Sequence, residues 1–249
     1  MPGSVRVAMI TDEERKRYAR QILMFGEEGQ ERLKGASVFV AGAGGLGTVI
    51  SLYLAAAGIG RLRIIDDDVV DESNLNRQIL HWSRDVGRRK IASVREKLVA
   101  LNPLIRIEAD PGRIGEENVG ELARGCDLIV DALDNLPTRY LLNRAAIERG
   151  IPFVHGAVRG FFGQATTVIP RKGPCLRCFF SASPSREIFP IVGATCGVIG
   201  SIEASEAIKL LTGQGDPLMG RLFIWDGLTG GTDSIVIERN PSCSDCGGL

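Results

Sequence analysis

Apolar positions in this chain fall into short, nearly unbroken runs, separated by longer segments with helical spacing. SVFVAGA (37–43) leads through a glycine turn into an apolar helix ending near Ala57, and RLRIIDDD (61–68) is a second strand that closes on three acids. VGRRKIASVREKLVALNP (86–103) has helical spacing and is stopped by Pro103. LIRIEA (104–109) is then a strand, 115–124 a helix, and CDLIVDALDN (126–135) a buried strand with an acidic end. Helix TRYLLNRAAIERG (138–150) and strands PFVHGAV (152–158) and GQATTVIP (163–170) continue the series. Strands apolar on both faces need cover on both sides, and repeated βα units supply it. The pattern predicts an α/β protein with a doubly wound, mostly parallel sheet.

The two ends read differently. Thr11 followed by Glu14 is a capping-box signature that opens a charged helix over 11–34. After Pro170 come the proline-containing loop SPSREIFP, the helix GVIGSIEASEAIKLLTG (197–213) and a hairpin within RLFIWDGLTGGTDSIVIERN (221–240). These extend the sheet with antiparallel strands. A single domain over 1–249 is expected, with the helix 11–34, a core over 36–170 and an extension over 171–249.

Composition narrows the setting. The chain is 44% apolar and 24% charged with a formal net charge of zero, so nothing electrostatic invites nucleic acid or an anionic membrane. The N-terminal residues lack an apolar signal core, and the longest weakly charged run, 48–60, is too short to cross a bilayer. The expectation is a cytoplasmic protein with no nucleic-acid or membrane partner.

Gly42, Gly44 and Gly47, with Gly45 between them, give G-x-G-x-x-G between strand and helix. That arrangement presents backbone amides and a helix start to phosphate and makes the sheet Rossmann-like. Asp66, at the end of the next strand, is placed to hydrogen-bond a ribose hydroxyl. Both features suit NAD(P) and ATP equally. The segment DDDVVDESNLNRQIL (66–80) separates them. Asn74, Arg77 and Gln78 supply cationic and amide donors that a triphosphate needs and a hydride-transfer enzyme does not. Lys90 adds a point charge, and Asp134, ending a strand, is placed to hold Mg²⁺ shared with phosphates.

Four of the six cysteines form two C-x-x-C pairs, Cys175/Cys178 and Cys243/Cys246. Two such knuckles in a reducing compartment indicate a closed tetrahedral zinc site with a structural role. Cys126 precedes a core strand. Cys196, in GATCGVIG, is the remaining candidate for a thiol nucleophile, although a packing role is the expectation. His81 and His155 are expected to pack or hydrogen-bond locally.

Taken together, RYARQIL, GAGGLG, DDDVVDESNLNRQ, DVGRRK, DALDN with Arg139 after it, C-L-R-C, GVIGSIEASEAIKLLTG and C-S-D-C run in order over about 17–247. In these motifs the chain resembles the MoeB/ThiF/HesA family, relatives of the ubiquitin-activating enzymes. The resemblance implies ATP-dependent adenylation of the C-terminal glycine of a small ubiquitin-like sulfur carrier (ThiS- or MoaD-like), in thiamine or molybdopterin biosynthesis. It implies that Asp66 binds ribose, that Asn74, Arg77, Gln78 and Lys90 bind the triphosphate, and that Asp134 holds Mg²⁺. It further implies a homodimer in which Arg20 serves the partner's phosphate site, with sulfur coming from a separate donor, a desulfurase or a rhodanese. The loop FFSASPSREIFPIV (179–192), where some members carry a further reactive cysteine, has none. Two alternatives stay open at this point. One is an NAD(P)-dependent oxidoreductase. The other is a relative that adenylates a different carboxylate, a peptide terminus or a modified tRNA base.

Overall fold

The computed structural model describes residues 9–180 and 189–248. At its start the capping box forms in both directions: Thr11 Oγ1 accepts from the Glu14 amide, and Glu14 Oε2 accepts from the Thr11 amide. The charged segment is nonetheless not one helix over 11–34. Helix α1 (Asp12–Arg17) ends at Tyr18, and α2 (Ala19–Gly35) is broken at Gly26, whose φ of 72° no right-handed helix accommodates. The buried Glu14 carboxylate ties the two ends of this arm together through Lys34 at 2.8 Å.

The core then alternates as its apolar runs require: β1 (Ser37–Ala41), α3 (Gly45–Ala57), β2 (Arg61–Ile65), α4 (Lys90–Leu101), β3 (Arg106–Asp110), α5 (Val119–Leu122), β4 (Leu128–Asp131), α6 (Leu136–Arg149) and β5 (Phe153–Arg159). After it come β6 (Phe162–Val168), α7 (Leu176–Phe179), α8 (Gly193–Thr212), β7 (Arg221–Asp226) and β8 (Gly231–Val236). The eight strands form one sheet in the order β3-β2-β1-β4-β5-β6-β7-β8. The first five are parallel and the last three are added antiparallel. All five residues of β1 are buried, because α3, α4 and α8 cover one face while α5 and α6 cover the other. Strand β8, by contrast, is exposed along its whole length.

Several boundaries shift for local reasons. β2 stops at Ile65 because Asp66 turns the chain, its Oδ1 accepting from the Asp68 amide. α4 begins at Lys90, after a separate short turn at Ser83–Asp85 and Gly87 at φ 83°. α8 begins four residues before the expected 197. On the outer edge strand β3, Glu108 accepts Arg106 at 2.9 Å and Arg63 at 3.0 Å, with Arg61 at 3.7 Å. None of the helices among the described residues is long and apolar enough to cross a membrane.

α8 carries an acid into the core. Glu203 is fully buried, neither carboxyl oxygen has a hydrogen-bond partner among the described residues, and a Cβ on Gly156 would lie 2.3 Å from its Oε2. Burial pushes this carboxyl well above its usual range, and the charge of Asp131 adds to the effect. The folded chain therefore keeps a proton that the unfolded chain releases above its ordinary carboxylate pKa, so stability falls as pH rises from there towards the folded value. Glu203→Gln keeps the shape and removes the proton linkage. It should raise the melting temperature at pH 8 by roughly 3 °C or more, and by little at pH 5, taking about 3 °C per kcal/mol for a chain of this size. Calorimetric scans at the two pH values check this, and an equal or smaller gain at pH 8 would contradict it.

Candidate functional site

β1 lies between β2 and β4, so the chain leaves its carboxyl end in one direction and returns to the sheet on the other side. Such a reversal opens a crevice at the strand ends. The glycine loop fills the floor of this crevice at very close quarters. Gly42 takes φ 108°, and a Cβ there would lie 2.7 Å from the Ala132 carbonyl oxygen. A Cβ on Gly47 would lie 2.0 Å from the Gly42 carbonyl oxygen. Thr48 is the first residue of this turn whose amide finds its helical acceptor, the Gly44 carbonyl. Among the described residues the amides of 44–47 have no backbone acceptor, which leaves the start of α3 equipped for an anion.

The second side of the crevice comes from the segment after β2. Asp66 Oδ2 accepts from the Ala43 amide at 2.8 Å, which fixes the carboxylate beside the loop while leaving lone pairs for a sugar hydroxyl. Gln78 is buried with its Oε1 unpartnered among the described residues, and a Cβ on Gly44 would lie 3.8 Å from its Nε2. Arg77 packs its stem beside Gly45, while its guanidinium rests on the Ser73 carbonyl and the Asn76 side chain. The Asn74 side chain closes its own turn onto the Asp71 amide. Lys90 opens α4 and holds Asp68 at 2.7 Å. Asp66, Arg77 and Gln78 thus meet the glycine loop directly, whereas Asn74 and Lys90 reach its surroundings through local partners.

The loop after β4 faces the same crevice, and buried side chains that the sequence did not flag shape it. Asp131 accepts from the Leu133 amide (3.0 Å) and from His155 Nδ1 (2.7 Å), and it is ion-paired with Arg139, whose Nε lies 3.1 Å away. Arg139 also donates to the carbonyls of Leu133 and Gly156. Asn135 caps α6. Asp134 stands between these anchors, exposed and without a partner among the described residues. Arg20 is not brought to the crevice. It lies exposed on α2, near the exposed Leu23 and Met24.

The four paired cysteines do converge. Their sulfurs all lie within 4.8 Å of one another, with Cys175–Cys243 at 3.6 Å and Cys178–Cys246 at 3.4 Å. A tetrahedral thiolate site with metal–sulfur bonds of about 2.3 Å has sulfur–sulfur edges of about 3.8 Å, so the donor set fits a metal. Asn143 of α6 joins the two knuckles: its Oδ1 accepts from the Leu176 amide and its Nδ2 donates to Asp245, both at 2.9 Å. A polar residue on the apolar face of LLNRAAI was the only sign of it in the sequence.

Residues 18–245 match the ThiF family. The chain belongs to that family. It is 46% identical over 250 residues to the sulfur carrier protein adenylyltransferase of Thermus thermophilus, covering 95% of this chain and 92% of that one. With the SAMP-activating enzyme E1 of Haloferax volcanii it shares 45% over 239 residues, covering 93% and 88%. Among solved structures, Escherichia coli MccB bound to MccA-N7isoASN superposes with a TM-score of 0.86 at 23% identity, over 93% of this chain and 75% of that one, which is a likeness of fold.

In this ThiF-family chain Cys196 lies inside the first turn of α8, fully buried, where a Cβ on Gly45 would lie 2.7 Å from its sulfur. Burial pushes its thiol up to about 11, against any lowering by the helix start. The residue packs α8 onto the glycine loop. Of the loop 179–192, residues 181–188 lie outside the described residues. Iodoacetamide at pH 8 should leave Cys196 unlabelled in the native protein and label it on unfolding. Peptide mass mapping reads the result, and rapid native labelling would show an open thiol.

Proposed function

We propose that this protein is an ATP-dependent adenylyltransferase that activates the C-terminal glycine carboxylate of a small ubiquitin-like sulfur carrier. The observation that carries the reading is a glycine loop with four open amides, flanked by Asp66, Arg77 and Gln78 and faced by an unpartnered Asp134. The names of the two relatives at 46% and 45% identity favour it over hydride transfer. In this reading Asp66 takes the ribose, and the loop amides with Arg77, Gln78, Asn74 and Lys90 take the phosphates. The carrier's carboxylate oxygen attacks the α-phosphorus, the bond to the bridging oxygen of the β-phosphate breaks, and pyrophosphate leaves an acyl-adenylate behind. The nucleophile is already ionised, so no general base is needed. The cost lies in bringing one anion onto another, and fixed cations and alignment offset it. Mg²⁺ held by Asp134 would neutralise charge on the phosphates.

Two further features complete the proposal. Arg20, exposed and unpartnered among the described residues, serves the phosphate site of a second copy in a homodimer. The Cys175/Cys178/Cys243/Cys246 cluster holds a structural zinc, and sulfur reaches the adenylated carrier from a separate donor protein in the cytoplasm.

Pyrophosphate exchange into ATP should appear only when a carrier with a Gly-Gly end is added. Arg77→Ala or Asp134→Ala should lower it by about 100-fold or more, the size expected for losing one charge-stabilising group at the reacting phosphate. Mixing Arg20→Ala with Asp134→Ala should restore about a quarter of wild-type exchange, since half the dimers are mixed and each holds one complete site. No recovery on mixing would place Arg20 outside the shared site. Metal analysis should find about one zinc per chain, lost in Cys243→Ser, because four thiolates close a single tetrahedral site.

A further inference from the structure

The His81 ring makes no hydrogen bond to a side chain assigned to substrate, yet it is buried between the glycine loop and α4. Its Nε2 lies 3.0 Å from the Ala43 carbonyl oxygen and its Nδ1 2.9 Å from Ser93 Oγ. A carbonyl only accepts, so Nε2 carries the ring proton and Nδ1 is an acceptor beside Ser93 Oγ, whose single proton lies within reach of both Nδ1 and the Leu80 carbonyl at 3.3 Å. Lys97 donates to Ser93 Oγ at 2.7 Å and pairs with the buried Asp85. Burial, with Lys90 and Lys97 close by, pushes His81 below its usual range and keeps the ring neutral. For Asp85 burial works in the raising direction, but the Lys97 contact and the Trp82 amide outweigh it and hold the carboxyl down to about 2. A continuous chain of hydrogen bonds thus runs from Asp85 through Lys97, Ser93 and His81 to the loop.

The consequence lies in the orientation of one peptide. The Ala43 amide is already fixed by Asp66. In a trans peptide the carbonyl and the following N–H point in opposite directions. With the Ala43 carbonyl drawn to His81, the Gly44 N–H is aimed the other way, where no described residue accepts it. We propose that His81 is a positioning residue for the nucleotide: it aims the Gly44 amide at the phosphates and couples the loop to α4, the helix that begins with Lys90. This rests on the reading of the loop as an ATP cradle.

Binding of α,β-methylene ATP with Mg²⁺, and separately of adenosine, to wild type, His81→Leu, His81→Gln and Ser93→Ala tests it by calorimetry. The Gln amide nitrogen can reach the position of Nε2 and still donate, whereas Leu cannot donate at all. His81→Leu should weaken the ATP analogue by about tenfold, equivalent to about 1.4 kcal/mol, and adenosine by less than about twofold, with His81→Gln within about threefold of wild type. If His81→Leu does not fold, Ser93→Ala, which frees the ring to change tautomer, should show the same selective loss at about threefold. Equal losses for both ligands, or no rescue by Gln, would mean general packing and overturn the inference. Unchanged analogue binding in His81→Leu would also overturn it. A wild-type protein that binds neither ligand would overturn the ATP reading itself, and this inference with it.

Discussion

Three stretches of backbone meet at the crevice with no room for a side chain between them, and the rest of the site depends on that contact. Gly47 lies against the Gly42 carbonyl, and Gly42 lies against the end of β4 at Ala132. On the far side of α3, a Cβ on Gly200 of α8 would stand 2.9 Å from Val49. α3 is therefore clamped between a strand end and a second helix, each in backbone-close contact. A helix start held this firmly presents its amides to an anion with little left to reorganise, which is the condition under which fixed dipoles are most effective.

Around the clamp, buried ionisable groups are managed in different ways. Asp85 keeps its charge because Lys97 meets it inside the fold, and Asp131 is met by Arg139 and His155. Glu203 has no such partner and takes up a proton instead. Removing one member of a buried pair strands the other, at several times the cost of an exposed ion pair. Both pairs sit behind loops that face the crevice, so the polar interior shapes those loops as well as filling space behind them.

Much of this could be read before any coordinates. The unbroken apolar strands required a sheet covered on both faces, and the spacing of Gly42, Gly44 and Gly47 required a close backbone approach. The two C-x-x-C pairs required convergence across 64 intervening residues. What stayed hidden depends on partners distant in sequence. Nothing in RQILH says that His81 meets Ala43, 38 residues earlier. Asn143 and Asp245 are 102 residues apart, and no local pattern records their bond. The break at Gly26 was missed because capping and charge patterns report where a helix opens, not where a glycine leaves the helical region. Asp131 reads as one more acid in DALDN until Arg139 folds back on it.

The charges along the outer strand affect how molecules of this protein meet one another. β3 carries unpaired backbone groups on its free side, and an identical strand would normally be an attractive mate. β3 itself carries Arg106, Glu108 and Asp110, and Arg61 and Arg63 of β2 lean onto Glu108, so the border holds charges of both signs. A strand laid along this border would have to take those charges out of water. Charged side chains on an edge strand are one of the ways a sheet discourages pairing with a second copy.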